Sequence, residues 1–150
     1  MVTAVGIQSK FEDALYELCE LDYDAIEAYE AAINRLDRED YKAQLRDFKK
    51  DHERHVDKIS ELLGKHMAKS PSGASAKALL TQGKVVLAEM MGDNSILKAM
   101  LSNEMDTNTA YERLNAHAEK WKDAEELLAQ GLQDERKHKA WLEMILKANK

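Results

Sequence analysis

Along four long stretches of this chain, apolar side chains recur in steps of three and four, the spacing that lines one face of an α-helix. The first stripe runs Leu15, Leu18, Cys19, Asp22, Ile26, Tyr29, Ile33, Leu36, and the second Tyr41, Leu45, Phe48, His52, His55, Val56, Ile59, Leu62. A third carries Leu97, Met100, Glu104, Asn108, Tyr111 and Leu114, and a fourth Ala124, Leu128, Gly131, Glu135, His138, Leu142 and Ile145. These stripes predict helices over about 9–36, 38–63, 94–118 and 121–148. Ser9 with Glu12 reads as a capping box, Asp37 and Asn94 as N-caps, and Gly64 as a stop. Ser70-Pro71-Ser72-Gly73 is the one clear linker, and the shorter helix expected over about 75–91 suits a crossover rather than a main bundle member. Nothing reads as a strand. The expectation is an all-α single domain spanning residues 1–150, with two antiparallel helix hairpins joined by a long crossover.

Composition narrows the function classes. Lysine and arginine number 22 against 28 acidic residues, a formal charge of −6, so no basic stripe is available for nucleic acid. No apolar run has the length of a membrane span, and no signal-peptide plan opens the chain, so a cytoplasmic protein is expected. The single cysteine, Cys19, excludes an internal disulfide and a Cys-x-x-Cys metal knuckle.

The chemistry lies in the residues that interrupt the stripes. Asp22, His52, His55, Glu104, Glu135 and His138 occupy positions whose neighbours on the same face are apolar. A buried charge is costly unless it is paired, hydrogen-bonded or metal-bound. Counted from the two helix turns at ~1.5 Å rise per residue, all six fall in one layer roughly 20–25 Å deep. The layer is also a repeat. Asp22 and Tyr29 are followed by His52 and His55, and Glu104 and Tyr111 by Glu135 and His138, at matching intervals. Two hairpins related by a pseudo-twofold axis would set two metal ions side by side. Carboxylate oxygen with imidazole nitrogen suits iron, with manganese as the second choice. Tyr29, Tyr111 and Asp51 are candidates for holding the ligands from outside.

These segments resemble the ferritin-like superfamily, which includes bacterioferritin and the rubrerythrins. Asp22-x-x-Ala25-Ile26-x-x-Tyr29 is similar to its first acidic segment, and Glu104 with Tyr111-Glu112 to its third-helix ligand region. Asp134-Glu135-Arg136-Lys137-His138 with the trailing Trp141-Leu142-Glu143 resembles bacterioferritin's fourth-helix Glu-x-x-His. The resemblance implies a ferritin-like four-helix bundle with a di-iron site that reacts with O₂ or H₂O₂, as a ferroxidase or peroxidase, and a link to stress responses.

The departures are specific. His52-Glu53-Arg54-His55 stands where the family carries Glu-x-x-His, and the glutamate would bridge two metals where a histidine nitrogen binds one. Either His52 or Asp51 fills that role. Glu53 stands at bacterioferritin's haem methionine, so no haem is expected. The chain ends with the fourth helix, and no rubredoxin-type cysteines are present. A homodimer or small homo-oligomer follows, needing an external electron donor if it is peroxidase-like. The alternatives are a non-catalytic metal-binding bundle with an altered site, and a structural homodimer without metal.

Overall fold

The computed structural model describes residues 3–77 and 79–150, and among them every regular element is helical. Four long helices, α1 (Phe11–Arg35), α2 (Glu39–Lys65), α4 (Asp93–Asn115) and α5 (Glu125–Ala148), account for the four stripes. A short α3 (Lys84–Ala88) lies in the crossover, and a 3₁₀ turn (Lys122–Ala124) leads into α5. α1 packs against α2, α4 against α5, and contacts of α1 with α4 and of α2 with α5 close the bundle.

Two sets of polar contacts fix which ends coincide. The Asp93 carboxylate, at the first residue of α4, accepts the backbone N–H groups of Asp37 (2.8 Å) and Arg38 (3.1 Å) in the α1–α2 turn. Asn149, just past α5, donates to the Tyr41 hydroxyl (3.1 Å) and to Asn94 Oδ1 (3.0 Å). Helices α1 and α5 therefore end where α2 and α4 begin. At the opposite end Phe11 meets Trp121 and His117 edge-on, with ring centroids 5.1 and 5.4 Å apart.

The helix termini differ from the expected caps. α1 starts after Lys10, α2 after Arg38 and α4 after Gly92, none with a side-chain cap, so Ser9, Asp37 and Asn94 do not cap. Acidic first turns (Glu12 and Asp13, Glu39 and Asp40, Glu125 and Glu126) and basic last turns (Arg35, Lys65, Lys147) complement the helix dipoles instead. Gly64 lies inside α2 rather than ending it, and the left-handed residue beyond that helix is Met67 (φ 55°). A Cβ at Gly64 would meet nothing within 4 Å. Gly64→Ala is therefore expected to raise stability by about 0.5–1 kcal/mol, read as a higher urea midpoint. An unchanged or lower midpoint contradicts this.

The crossover is the largest departure, because the helix expected over 75–91 is confined to Lys84–Ala88. Side chains of the long helices capture its backbone. Ser75 N–H donates to Asp24 (3.2 Å), Thr81 N–H to Asp106 (2.9 Å) and Gln82 N–H to Asn103 (2.8 Å), while Asn103 Nδ2 returns a bond to Gln82 O (2.7 Å). Donors spent in this way are unavailable to a helical ladder.

Candidate metal centre

Midway along the bundle the apolar core gives way to a polar layer. Asp22, His52, His55, Glu104, Glu135 and His138 are each 5% exposed or less. Asp22 comes from α1, the two α2 histidines from successive turns, Glu104 from α4, and Glu135 with His138 from α5. All six candidates are thus brought together, and His52 rather than Asp51 points inward.

The layer resolves into two sets of donors. Asp22, His52, His55 and Glu135 present one ligand atom each within 4.8 Å of one another, and so do His52, Glu104, Glu135 and His138. His52 and Glu135 belong to both sets, and they are the matching members of the sequence repeat. Glu135 Oε1 lies 3.5 Å from His55 Nδ1 and 3.5 Å from His52 Nδ1, while Oε2 lies 3.4 Å from His138 Nδ1. Glu104 Oε1 lies 3.4 Å from His138 Nδ1 and 3.6 Å from His52 Nε2.

Around the six, each hairpin braces the other. Tyr29 of the first hairpin donates its hydroxyl to Glu104 of the second, and Tyr111 of the second donates to Asp22 Oδ2 of the first (2.6 Å). The histidines are held in the same crossed way. His138 Nε2 bonds Asp51 Oδ2 at 2.8 Å, and His55 Nε2 bonds Asp134 Oδ2 at 2.8 Å. A carboxylate on the outward ring nitrogen fixes ring orientation and leaves Nδ1 facing inward. Arg54 reaches both aspartates. Thr107 Oγ1 is within 3.0 Å of Glu104 Oε2 and 3.0 Å of Glu135 Oε2.

Sequence reading missed Asp134, Thr107 and Gly131. Asp134 precedes His138 by the same interval as Asp51 precedes His55, so the repeat itself was the signal. Gly131 is small because the Tyr111 ring fills the space a side chain would take. Thr107 carries no motif that would single it out.

Three buried atoms, His52 Nε2, Glu135 Oε1 and His138 Nδ1, have no hydrogen-bond partner among the described residues. Unpaired polar atoms at such depth call for a missing ion or water. Each points toward other donors at 3.4–3.6 Å, too far for a good hydrogen bond. Converging oxygen and nitrogen donors of this kind suit a divalent metal ion.

Without metal, protons hold the layer together. Burial opposes charge on the imidazoles, yet the carboxylates prevail. Glu135, Asp22 and Glu104 lift His52 to about 10, Asp22 and Asp134 lift His55 to about 9, and Glu104 with Asp51 lifts His138 to about 12. Burial likewise opposes charge on Asp22 and Glu104, but the histidines hold both below the ordinary carboxylate range. Burial pushes Glu135 up to about 7, with repulsion from Glu104 adding to it and His52 opposing.

The raised imidazoles give stabilisation that is complete below the ordinary 6.5 and lost as pH climbs through the folded values, His55 first at about 9. The depressed carboxylates give stabilisation that is present above their ordinary values and lost as pH falls through the folded ones. The chelated protein is therefore expected to lose urea resistance progressively as pH rises from about 6.5 through about 9. A midpoint that rises through that range contradicts the assignment.

A groove of about 410 Å³ between α2 and α5 reaches the layer from solvent, with Arg54, Lys58 and Ile59 at its sides and His55, Tyr111 and Gly131 among its walls. No helix among the described residues is long and apolar enough to cross a membrane.

Comparison with known proteins bears on the family and the fold. Residues 10–117 match the family described as "Domain of unknown function (DUF2383)". The crystal structure of a conserved hypothetical protein, rv2844, from Mycobacterium tuberculosis is similar over 92% of each chain, with a TM-score of 0.77 and 18% identity. At that identity the likeness speaks for the fold. Among curated proteins, none matches.

Proposed function

The chain belongs to the DUF2383 family, and we propose that it is a ferritin-like metalloprotein whose buried layer holds two iron ions and reacts with O₂ or H₂O₂. The observation that carries this reading is the pair of four-residue donor sets sharing His52 and Glu135. Mixed carboxylate and imidazole sets suit iron or manganese, and a single long crossover in a four-helix bundle is the ferritin-like connection.

Asp22 Oδ1, His55 Nδ1 and Glu135 Oε1 would hold one ion, and Glu104 Oε1, His138 Nδ1 and Glu135 Oε2 the other. Iron held by these residues would supply two electrons to an oxidant. The protein's part is positioning. Tyr111 and Tyr29 fix the carboxylates of Asp22 and Glu104 by their hydroxyls, and Asp134 and Asp51 orient the two histidines. The groove at His55 gives a small oxidant a way in, while the six residues themselves stay 5% exposed or less.

The test is anaerobic loading with Fe(II), followed by exposure to O₂ or H₂O₂ and measurement of the oxidation rate. The wild type should oxidise Fe(II) faster than Glu104→Gln/Glu135→Gln, and equal rates overturn the redox reading. A second reading is favoured by His52, which stands where the ferritin-like proteins that the chain resembles carry a bridging glutamate: a bundle that binds metal without turnover. It predicts two bound ions, a thermal midpoint raised by metal, and no rate above the double variant.

A further inference from the structure

We infer that His52 is a bridging ligand, binding one metal ion through Nδ1 and the other through Nε2. This rests on the two-ion reading above and adds how the two ions are joined. The two ring nitrogens face different donor sets. Nδ1 lies 2.7 Å from Asp22 Oδ1 and 3.5 Å from Glu135 Oε1, within the first set. Nε2 lies 3.6 Å from Glu104 Oε1, within the second, and has no hydrogen-bond partner although the residue is 0% exposed.

A terminal ligand has a different signature. His55 and His138 each spend the outward nitrogen on an aspartate outside the layer and keep one nitrogen for the centre. For His52 no carboxylate lies on an outer side, because Asp22, Glu104 and Glu135 all belong to the donor sets. Its ring stands between the sets, 5.5 Å from the His55 ring and 5.2 Å from that of His138. The sequence repeat gives the same answer. His52 is the counterpart of Glu135, whose two oxygens also face different sets.

Charge favours the bridge as well. Asp22, Glu104 and Glu135, once ionised, bring three negative charges to a buried layer, one short of matching two divalent cations. An imidazole bound at both nitrogens carries none of its ring N–H protons and supplies the fourth. Loading is thus an exchange of protons for cations: the ring protons leave to solvent, two metal–nitrogen bonds form, and no electrons move. A glutamate at this position would give the same formal charge, but an imidazole is rigid and its nitrogens diverge. A pair of ions bound at its two nitrogens would be held farther apart than a pair bridged by a carboxylate.

The probe is Co(II), an air-stable stand-in for ferrous iron, used on the full chain. Crystals of the Co(II)-loaded wild type, measured at the cobalt absorption edge, should show two anomalous peaks flanking the His52 ring, one bonded to each nitrogen. Two peaks with His52 bonded to one alone overturn the bridge while leaving the two-ion reading intact. One peak or none overturns both. In solution, calorimetric titration of His52→Ala with Co(II) should show both equivalents weakened by at least about tenfold, the lower bound being what loss of an outer partner already causes. Weakening of one equivalent alone overturns the bridge.

Discussion

Replacing Glu135 with glutamine should empty both halves of the centre at once. Its two oxygens serve different donor sets, so one substitution removes a charged ligand from each. The expected loss of affinity exceeds about 100-fold for both ions, above the range typical for outer-sphere changes. Metal per chain after desalting is the measurement. The fold should survive, because an amide keeps the shape and an oxygen for Thr107 Oγ1. The stability of the chelated protein makes the control. Burial and Glu104 hold the Glu135 carboxyl up at about 7, so its contribution is full below the ordinary 4.5 and is lost as pH rises through 7. Glutamine has no such loss. In chelator at neutral or higher pH the variant should therefore be at least as stable as wild type. Retention of two ions, or loss of one alone, would show that Glu135 is not shared.

Gly131→Ala should be among the most damaging of conservative changes. A Cβ there would lie 2.8 Å from Tyr111 Cδ1, and closer still to Cε1. The ring cannot swing aside cheaply. It is 1% exposed, and its hydroxyl is committed to Asp22 Oδ2 at 2.6 Å. Overpacking of this kind costs about 1–3 kcal/mol, and displacing a buried hydroxyl from its partner costs about 1–3 kcal/mol more. Against this, alanine returns about 1 kcal/mol of helix propensity. The net should be a loss of about 1–5 kcal/mol, read from urea unfolding in chelator. Weaker metal binding should accompany it, because Tyr111 steadies Asp22. A variant as stable as wild type would mean that the ring moves freely. The two glycines thus predict opposite signs for one substitution: Gly64 faces open space and Gly131 faces an aromatic ring.

Helix existence was legible in the sequence because periodicity is a tertiary signal written locally. Stripes of leucine and alanine at steps of three and four leave no other way to bury themselves. The polar layer was legible for the same reason, since Asp22, Glu104 and the histidines stand out against apolar neighbours. Termini were harder. Ser9, Asp37 and Asn94 have the chemistry of caps, but Asp37 and Arg38 give their backbone donors to Asp93, a partner on another helix. The crossover failed likewise, because Asp24, Asn103 and Asp106 take its N–H groups. A sequence window does not contain these partners. Asp51 and Asp134 show the intermediate case, in which the residues were visible but the crossing of their partners was not.

That crossing gives the chain an order of assembly. Helices form from local contacts, but no hairpin carries a complete donor set. The α1–α2 pair lacks Glu135, and the α4–α5 pair lacks His52. A chain emerging from the ribosome only as far as the crossover has three donors of one set, with neither Tyr111 to steady Asp22 nor Asp134 to orient His55. Tight retention of an ion must await the docking of the second half, so the centre closes last. On the two-ion reading, metal retention would act as a check on tertiary structure: a half-built bundle would let its ion go, and a finished one would keep it.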